Sequence, residues 1–257
     1  MTDFLPTLER QKLILSMLAR QRRLSVTDIV RQFSISEATA RRDLESLTSQ
    51  GKAQRVHGGV IAVEQAPPEL PILERESEQL EEKRRIGRAA ASLVAEHESL
   101  FLGSGTTVLE VARNLREHKN LTVITNSLPV LNILAGIPGI TVISLGGMLR
   151  ESELSFIGHI TEQAMIEVHA DKVFMGTRGA SLEHGFTNDY LQETLTDRAI
   201  LKSGREVIMV ADHTKVNRVS TVLLAPLNSV HTFVTDSGAD KKFIQALKQQ
   251  GLQVVIA

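Results

Sequence analysis

Ser25-Val-Thr27-Asp28-Ile-Val-Arg-Gln-Phe33-Ser-Ile-Ser36-Glu-Ala38-Thr39-Ala-Arg41-Arg42-Asp43-Leu44 is followed, past Gly51, by Arg55-Val-His57-Gly58-Gly59-Val60. Ser25 and Asp28 have the Ser-x-x-acid spacing of a capping box, which starts a helix through Ile29 and Val30 that ends near Phe33. Ser36 then caps a second helix after a short turn, its hydroxyl accepting from a first-turn amide. At about 100° per residue, Ala40, Leu44 and Leu47 share one face of that helix, whereas Ala38, Arg41, Arg42 and Glu45 point away from it. Gly51 stands where a left-handed residue ends a helix. Beyond it, residues 53–56 and 60–63 read as two strands joined through His57-Gly58-Gly59, small enough for a tight turn.

Upstream, Leu8, Leu13, Leu15 and Leu18 with Arg10, Lys12 and Arg20 between them predict an amphipathic helix over Thr7–Gln21. Helix, capped helix, turn, capped helix and glycine-tipped hairpin follow in the order of a winged helix-turn-helix, whose expected partner is double-stranded DNA. Arg41 and Arg42 can each grip phosphate or guanine with a planar fork, and Ala38 lets the helix approach closely. Ser36 and Thr39 can reach phosphates from the helix start. Ser25 and Thr27 open the preceding helix, and Arg55, His57 and Gly58 belong to the wing. Taken alone, a double arginine fits better an ordinary exposed helix pairing with Asp43 or Glu45, and it is the order of the elements that favours DNA.

Charge supports the placement. The 257 residues carry 29 Lys or Arg and 30 Asp or Glu, a formal net charge of −1. Residues 1–60 hold ten of the cations against six acids, so the positive excess lies on the DNA-like segment. With no cysteine there are neither disulfides nor thiolate metal sites, which fits a reducing compartment. The eight histidines form no H-E-x-x-H pair, so neither a metal nor another cofactor is expected. No apolar run approaches the ~18 residues of a membrane span, and the N-terminus is acidic where a signal peptide is basic, so the expectation is a cytoplasmic protein without a membrane.

Three prolines in residues 64–71 mark a stiff, exposed connector. The predicted division is a DNA-binding domain over 1–63, a linker over 64–73 and a second domain over 74–257. Residues 74–94 read as a charged helix with Ile86, Ala90 and Leu93 as its buried stripe. Short apolar strands then alternate with helices: strands at 99–102, 121–125, 141–145, 172–175, 206–210, 232–235 and 253–256, and helices at 108–115, 128–135, 160–169, 193–202 and 241–250. That alternation predicts an α/β fold with a parallel sheet covered on both faces, and such sheets bind ligands at the carboxyl ends of their strands.

Those ends carry Gly103-Ser104-Gly105-Thr106-Thr107, Thr125-Asn126-Ser127, Gly146-Gly147-Met-Leu-Arg150 and Gly176-Thr-Arg178-Gly179. The first can cradle an anion at a helix start, although a plain strand-to-helix turn is the alternative, and it is neither a Walker loop nor a full G-x-G-x-x-G. Arg150 or Arg178 could pair with phosphate. Glu193 and Lys215 are further candidates; His184 and His213 stay unassigned.

In order, Ser36-x-x-Thr39-x-Arg41-Arg42-Asp43-Leu44, Arg55-x-His57-Gly58-Gly59, Gly103-Ser-Gly-Thr-Thr107, Thr125-Asn126-Ser127, Gly146-Gly147 and Ala211-Asp212-x-x-Lys215 resemble the DeoR family of bacterial transcriptional repressors over nearly the whole chain. The resemblance implies a winged helix and a C-terminal domain similar to ribose-5-phosphate isomerase that senses a phosphorylated sugar or related metabolite. It also implies a homo-oligomer on repeated operator half-sites and control of a carbohydrate catabolic operon. Gly103 departs from the Asp, and Asp197 from the Lys, that many members carry. Two other readings are an isomerase-like enzyme using Glu193, Asp189 or Lys215 for proton transfer, and a DNA-binding scaffold with a vestigial second domain.

Overall fold

The computed structural model describes residues 5–21, 23–49, 52–62, 64–66 and 70–257, and divides into two compact units, Met1–Glu64 and Gln65–Ala257. In the first unit, α1 (Thr7–Gln21), β1 (Arg23–Ser25), α2 (Val26–Phe33), α3 (Glu37–Ser49), β2 (Ala53–Val56) and β3 (Gly59–Ala62) surround one small core. Ser25 and Asp28 form the capping box read from the sequence, with the Asp28 amide 3.1 Å from the Ser25 hydroxyl. Those bonds from Ser25 hold the Asp28 carboxyl below the usual range. Ala40, Leu44 and Leu47 are buried against Ile14, Leu18, Leu24 and Ile29, while Ala38, Arg41, Arg42 and Glu45 are exposed.

Strand β1 has no signal in its three residues; it pairs antiparallel with β3 and makes the wing a three-stranded sheet. Its close approach explains Gly59, where a Cβ would stand 2.1 Å from the Leu24 carbonyl oxygen. Gly58 takes φ +79° at the tip, which favours glycine. Leu8 and Leu13 are exposed, against the amphipathic pattern expected of α1, because the inward face carries Arg10, Gln11, Ile14 and Leu18 instead. Gly51 and Val63, expected to end α3 and the second wing strand, lie outside the described residues.

The second unit is built on a seven-stranded sheet in which every pairing is parallel. After β4 (Glu64–Gln65) come α4 (Ile72–Arg75), α5 (Leu80–Ala91), β5 (Ser99–Leu102), α6 (Thr106–Leu115), β6 (Leu121–Thr125), α7 (Leu128–Leu134) and β7 (Ile140–Ser144). Next are β8 (Met148–Arg150), β9 (Ser155–Ile157), α8 (His159–Ala164), β10 (Ala170–Met175), β11 (Gly179–Ser181), β12 (Gly185–Asn188), α9 (Leu191–Ser203) and β13 (Gly204–Val210). The chain closes with β14 (Arg218–Val219), β15 (Val222–Ala225), β16 (Thr232–Thr235), α10 (Lys241–Gln249) and β17 (Gln253–Ile256). Sheet order is β17-β16-β13-β10-β5-β6-β7, which contains all seven strands read from the sequence.

Alternation along the strands fills both faces. Leu100, Leu102, Phe174, Ile208 and Val210 meet Ile86, Val108, Val111 and Leu134 of α5, α6 and α7 on one side. Phe101, Val173, Met175, Val207 and Met209 meet Ile200, Phe243 and Leu247 of α9 and α10 on the other. From β5 the chain winds outward through β6 and β7; from its other neighbour β10 it winds the opposite way. Loops leaving β5 and β10 therefore diverge and open a crevice between them.

Several expected elements differ. The single helix over 74–94 is broken: Gln79 has φ +49°, and α4 is a separate turn before α5. The helix expected at 160–169 is α8 followed by a 3-10 turn, Met165–Glu167. The hairpin β8–β9 and the three-stranded antiparallel sheet β11-β12-β15 were not expected; their strands are three or four residues long, too short for a periodic pattern. Within the segment expected as an exposed connector, the Ala66 amide donates to the Val219 carbonyl at 2.9 Å, and Ile72 is buried with its amide 2.7 Å from the Ser152 carbonyl oxygen.

Candidate functional site

On the first unit, Thr27, Ser36, Ala38, Arg41, Arg42, Arg55, His57 and Gly58 are exposed, and Ser25 and Thr39 are half-buried. Ser36 is committed as a cap, its hydroxyl 3.2 Å from the Thr39 amide and 2.8 Å from the Thr39 hydroxyl. The Ser25 hydroxyl donates to Asp28 at 2.6 Å, so its proton serves α2. Arg41 pairs with Glu37 one turn back, both well exposed, a pair worth about 0.3–0.5 kcal/mol that a phosphate can displace. Asp43 is not an exposed partner of the arginines. It lies buried beneath them and takes a bidentate bond from Arg10, 2.5 Å from Nε and 3.2 Å from Nη2. Arg41 and Arg42 are thus left on the outer face by a helix whose next residue is fastened to α1.

In the second unit the crevice at the β5/β10 divergence is lined by Ser104, Gly105, Thr106 and Thr107 from the first loop and Gly176, Thr177 and Arg178 from the second. Helix α6 begins at Thr106, two residues earlier than expected, behind Gly105 at φ +106° with no side-chain cap. Among the described residues no side chain caps its first turn, whose residues Thr106, Thr107 and Val108 line the crevice, the arrangement that favours an anion.

Two lysines stand across from it. Lys215 enters from the 3-10 turn after β13, and its ammonium has no hydrogen bond or ion pair among the described residues. Burial lowers its pKa; Asp212 opposes that shift, and Arg178 and Arg75 reinforce it. Lys83, on α5, is buried, and its ammonium donates to the Arg75 carbonyl at 2.6 Å. Burial lowers its pKa to about 8, with Asp212 opposing and Lys215 and Arg75 adding to the fall. The other two cations are matched: Arg75 with Glu153 and Arg178 with Asp189. Neither Lys83 nor Arg75 was a sequence candidate. Both sit in what reads as a solvated charge run, and only the break at Gln79 turns them inward.

Of the expected effector residues, Ser104, Gly105, Thr106, Thr107, Gly176, Glu193 and Lys215 line this crevice, whereas Gly103, Thr125, Asn126, Gly146, Gly147 and Arg150 do not. The Thr125 hydroxyl donates to Leu102 O at 2.7 Å, and the Asn126 amide side chain reaches Phe156 O at 3.0 Å, so both fasten β6 to its neighbours. Gly146 accepts from the Thr161 hydroxyl at 2.8 Å, and a Cβ on Gly147 would lie 2.2 Å from that same oxygen. Arg150 is paired with Glu193 and lies 4.6 Å from the Tyr190 ring centre. The Ser155 hydroxyl donates to Glu193 Oε1 at 2.8 Å, so this carboxylate is held on two sides. At Gly103 a Cβ would come 2.7 Å from the Met175 sulfur: methionine fills the room an acid would need. Asp197 lines the crevice, buried, and accepts from Asn188 at 3.1 Å.

Known proteins agree with this layout. The family model described as DeoR-like helix-turn-helix domain matches residues 10–66, and that described as DeoR C terminal sensor domain matches 78–237. The chain is 31% identical to the glycerol-3-phosphate regulon repressor of Escherichia coli K12, covering 96% of this chain and 97% of the relative. It is 33% identical to the transcriptional repressor AccR of Agrobacterium fabrum, over 91% and 92%. A putative aga operon transcriptional repressor of Escherichia coli O157:H7 is 30% identical over 97% and 94%. A solved ribose 5 phosphate isomerase A from Neisseria gonorrhoeae shares 19% identity at TM-score 0.39 over 52% of each chain, too partial a likeness to carry an argument. The relatives are named as regulators and repressors, against the isomerase reading, and among the described residues no helix is long and apolar enough to cross a membrane. With a helix-turn-helix unit ahead of a sensor unit, the chain belongs to the DeoR family of transcriptional regulators.

Proposed function

We propose that this protein represses a carbohydrate catabolic operon by reading operator DNA with α3 and the wing, and that a phosphorylated sugar in the crevice changes its operator affinity. One observation carries the sensing half: a helix start without a side-chain cap and two partly desolvated ammonium groups, one with no hydrogen bond or ion pair among the described residues, converge on the same crevice. A phosphate dianion would take the Thr106, Thr107 and Val108 amides and neutralise Lys215 and Lys83, while the sugar hydroxyls would meet Asp189, Asn188 and Asp197. Reading repeated half-sites would use two or more copies of the chain. The repressors named above for glycerol-3-phosphate and aga regulons support this ligand class.

A panel of sugar phosphates screened by thermal shift tests the reading. A ligand at a hundred times its Kd stabilises by about 2.7 kcal/mol, and at least one member is expected to raise the melting temperature. Lys215→Met and Gly105→Val each remove that rise. Lys215→Met leaves the ligand-free protein intact, because it deletes a charge that burial already disfavours. A panel without any response, or a response that survives both substitutions, overturns the site.

Lys83 sets a pH dependence. The anion favours the charged amine, so affinity is full below about pH 8 and falls as pH rises through it. Ligand-free stability moves the other way. The folded pKa lies below the unfolded one, so the folded state binds fewer protons, and this group's contribution improves as pH rises from about 8 toward the ordinary lysine value. Titration calorimetry with a responding sugar phosphate across that range should show the loss of affinity in the wild type and a flattened profile in Lys83→Gln; equal profiles would remove Lys83 from the site.

A further inference from the structure

The crevice is tied to the segment that enters the second unit. From Leu70 the chain runs through α4 to Gln79, and four bonds fasten it: Ile72 N–H to Ser152 O at 2.7 Å, Arg75 Nε to Leu70 O at 2.8 Å, Lys83 Nζ to Arg75 O at 2.6 Å, and the ion pair of Arg75 with Glu153. Helix α4 is a single turn, too short to be stable alone, so these bonds decide whether it is ordered. Two of the groups that hold it, Arg75 and Lys83, also line the crevice.

We infer that Lys83 and Arg75 are both anion-facing residues and the fastening of α4, so that an anion in the crevice clamps the segment 70–79. The inference rests on reading the crevice as an anion site and assigns how that site is linked to the chain leading from the DNA-binding unit. Without an anion, burial is the main cost to the charge on Lys83; Asp212 and Glu78 offset part of it, and Lys215 and Arg75 add to it. A dianion beside Lys83 and Lys215 adds the counter-charge that burial makes costly to lack and keeps Lys83 charged, and a charged donor makes the stronger bond to the Arg75 carbonyl. The turn that Lys83 and Arg75 hold is then fixed, and with it the Leu70 carbonyl that Arg75 fastens. Coupling of this kind needs only that the anion bind the fastened state better than the loosened one.

Hydrogen exchange on the full chain, with inorganic phosphate against chloride at equal ionic strength, tests it. Phosphate is expected to slow exchange about tenfold at the amides of Ile72, Glu74, Arg75 and Glu78 as well as at Thr106–Val108. In Lys83→Gln, with phosphate raised until the slowing at 106–108 is again saturated, that at 72–78 is absent. Slowing confined to 106–108 in the wild type overturns the clamp and leaves the anion site standing; faster exchange at 72–78 overturns it as well. No slowing at either segment overturns both the site and the clamp. Should Lys83→Gln fail to fold, the wild-type comparison alone decides.

Discussion

Replacing Arg41 and Arg42 together by alanine is expected to abolish specific binding to DNA from upstream of the protein's own gene while leaving thermal stability within about 1 kcal/mol of wild type. Each arginine reaching a base edge or phosphate contributes about 1–3 kcal/mol, so the pair accounts for a loss of at least roughly thirtyfold. Both guanidinium groups are exposed, and the only partner recorded for them among the described residues is the surface carboxylate Glu37, whose loss costs a few tenths of a kcal/mol. Fluorescence anisotropy with a labelled upstream fragment, in parallel with a melting curve, separates contact from folding. Retained specific binding would move the recognition surface off α3.

Asp43→Ala should do the reverse, damaging the fold through a residue adjacent to the arginines proposed to read DNA. Asp43 and Arg10 are each 3% exposed in their side chains, and the bidentate bond between them joins α1 to α3. Removing the acid takes away the buried carboxylate that accepts from both Arg10 and Gln11, a cost of about 3–5 kcal/mol, comparable with the whole stability of a unit this size. The first unit is expected to melt while the second keeps its own transition, visible as loss of exchange protection confined to residues 5–62. Arg10→Met with Asp43→Leu, which exchanges the pair for apolar volume, should recover most of the loss. A melting profile of Asp43→Ala indistinguishable from wild type would mean that the buried pair contributes little.

These two substitutions also show what the sequence could reveal. The α3 face was legible because Ala40, Leu44 and Leu47 follow the helical period and leave Arg41 and Arg42 outside. Asp43 was not: a charge beside two others reads as surface, and its partner Arg10 lies 33 residues away on a helix whose exposed Leu8 and Leu13 mimic a buried stripe. Seven parallel strands were legible because each is a short apolar run, the inner ones largely buried while the edge strands β7 and β17 stay partly exposed. The small strands β1, β8, β9 and β11 were not, since three residues hold no periodicity and their pairing is decided by distant neighbours.

The proposed sensing site was half legible. Gly103–Thr107 announce themselves as small residues between a strand and a helix, Gly176 as a small residue between two strands, and seven of thirteen expected effector residues line the crevice. Thr125, Asn126, Gly146 and Gly147 carry the same small or polar signature, but the Thr125 hydroxyl is bonded to β5, the Asn126 side-chain nitrogen to β9 and the Gly146 carbonyl to α8, while Gly147 packs against Thr161. Arg150 is likewise taken by Glu193. Lys83 and Arg75 could be found only once the break at Gln79 was in view, because a charge run gives no hint of which members turn inward.

Operator affinity of the full chain, measured by anisotropy with and without a sugar phosphate that raises the melting temperature, tests the proposed switch most directly. A change of about five- to a hundredfold in wild type, the usual scale of coupling between two sites, and none in Lys215→Met is the expected result. A sugar phosphate that binds the crevice yet leaves operator affinity unchanged would contradict it.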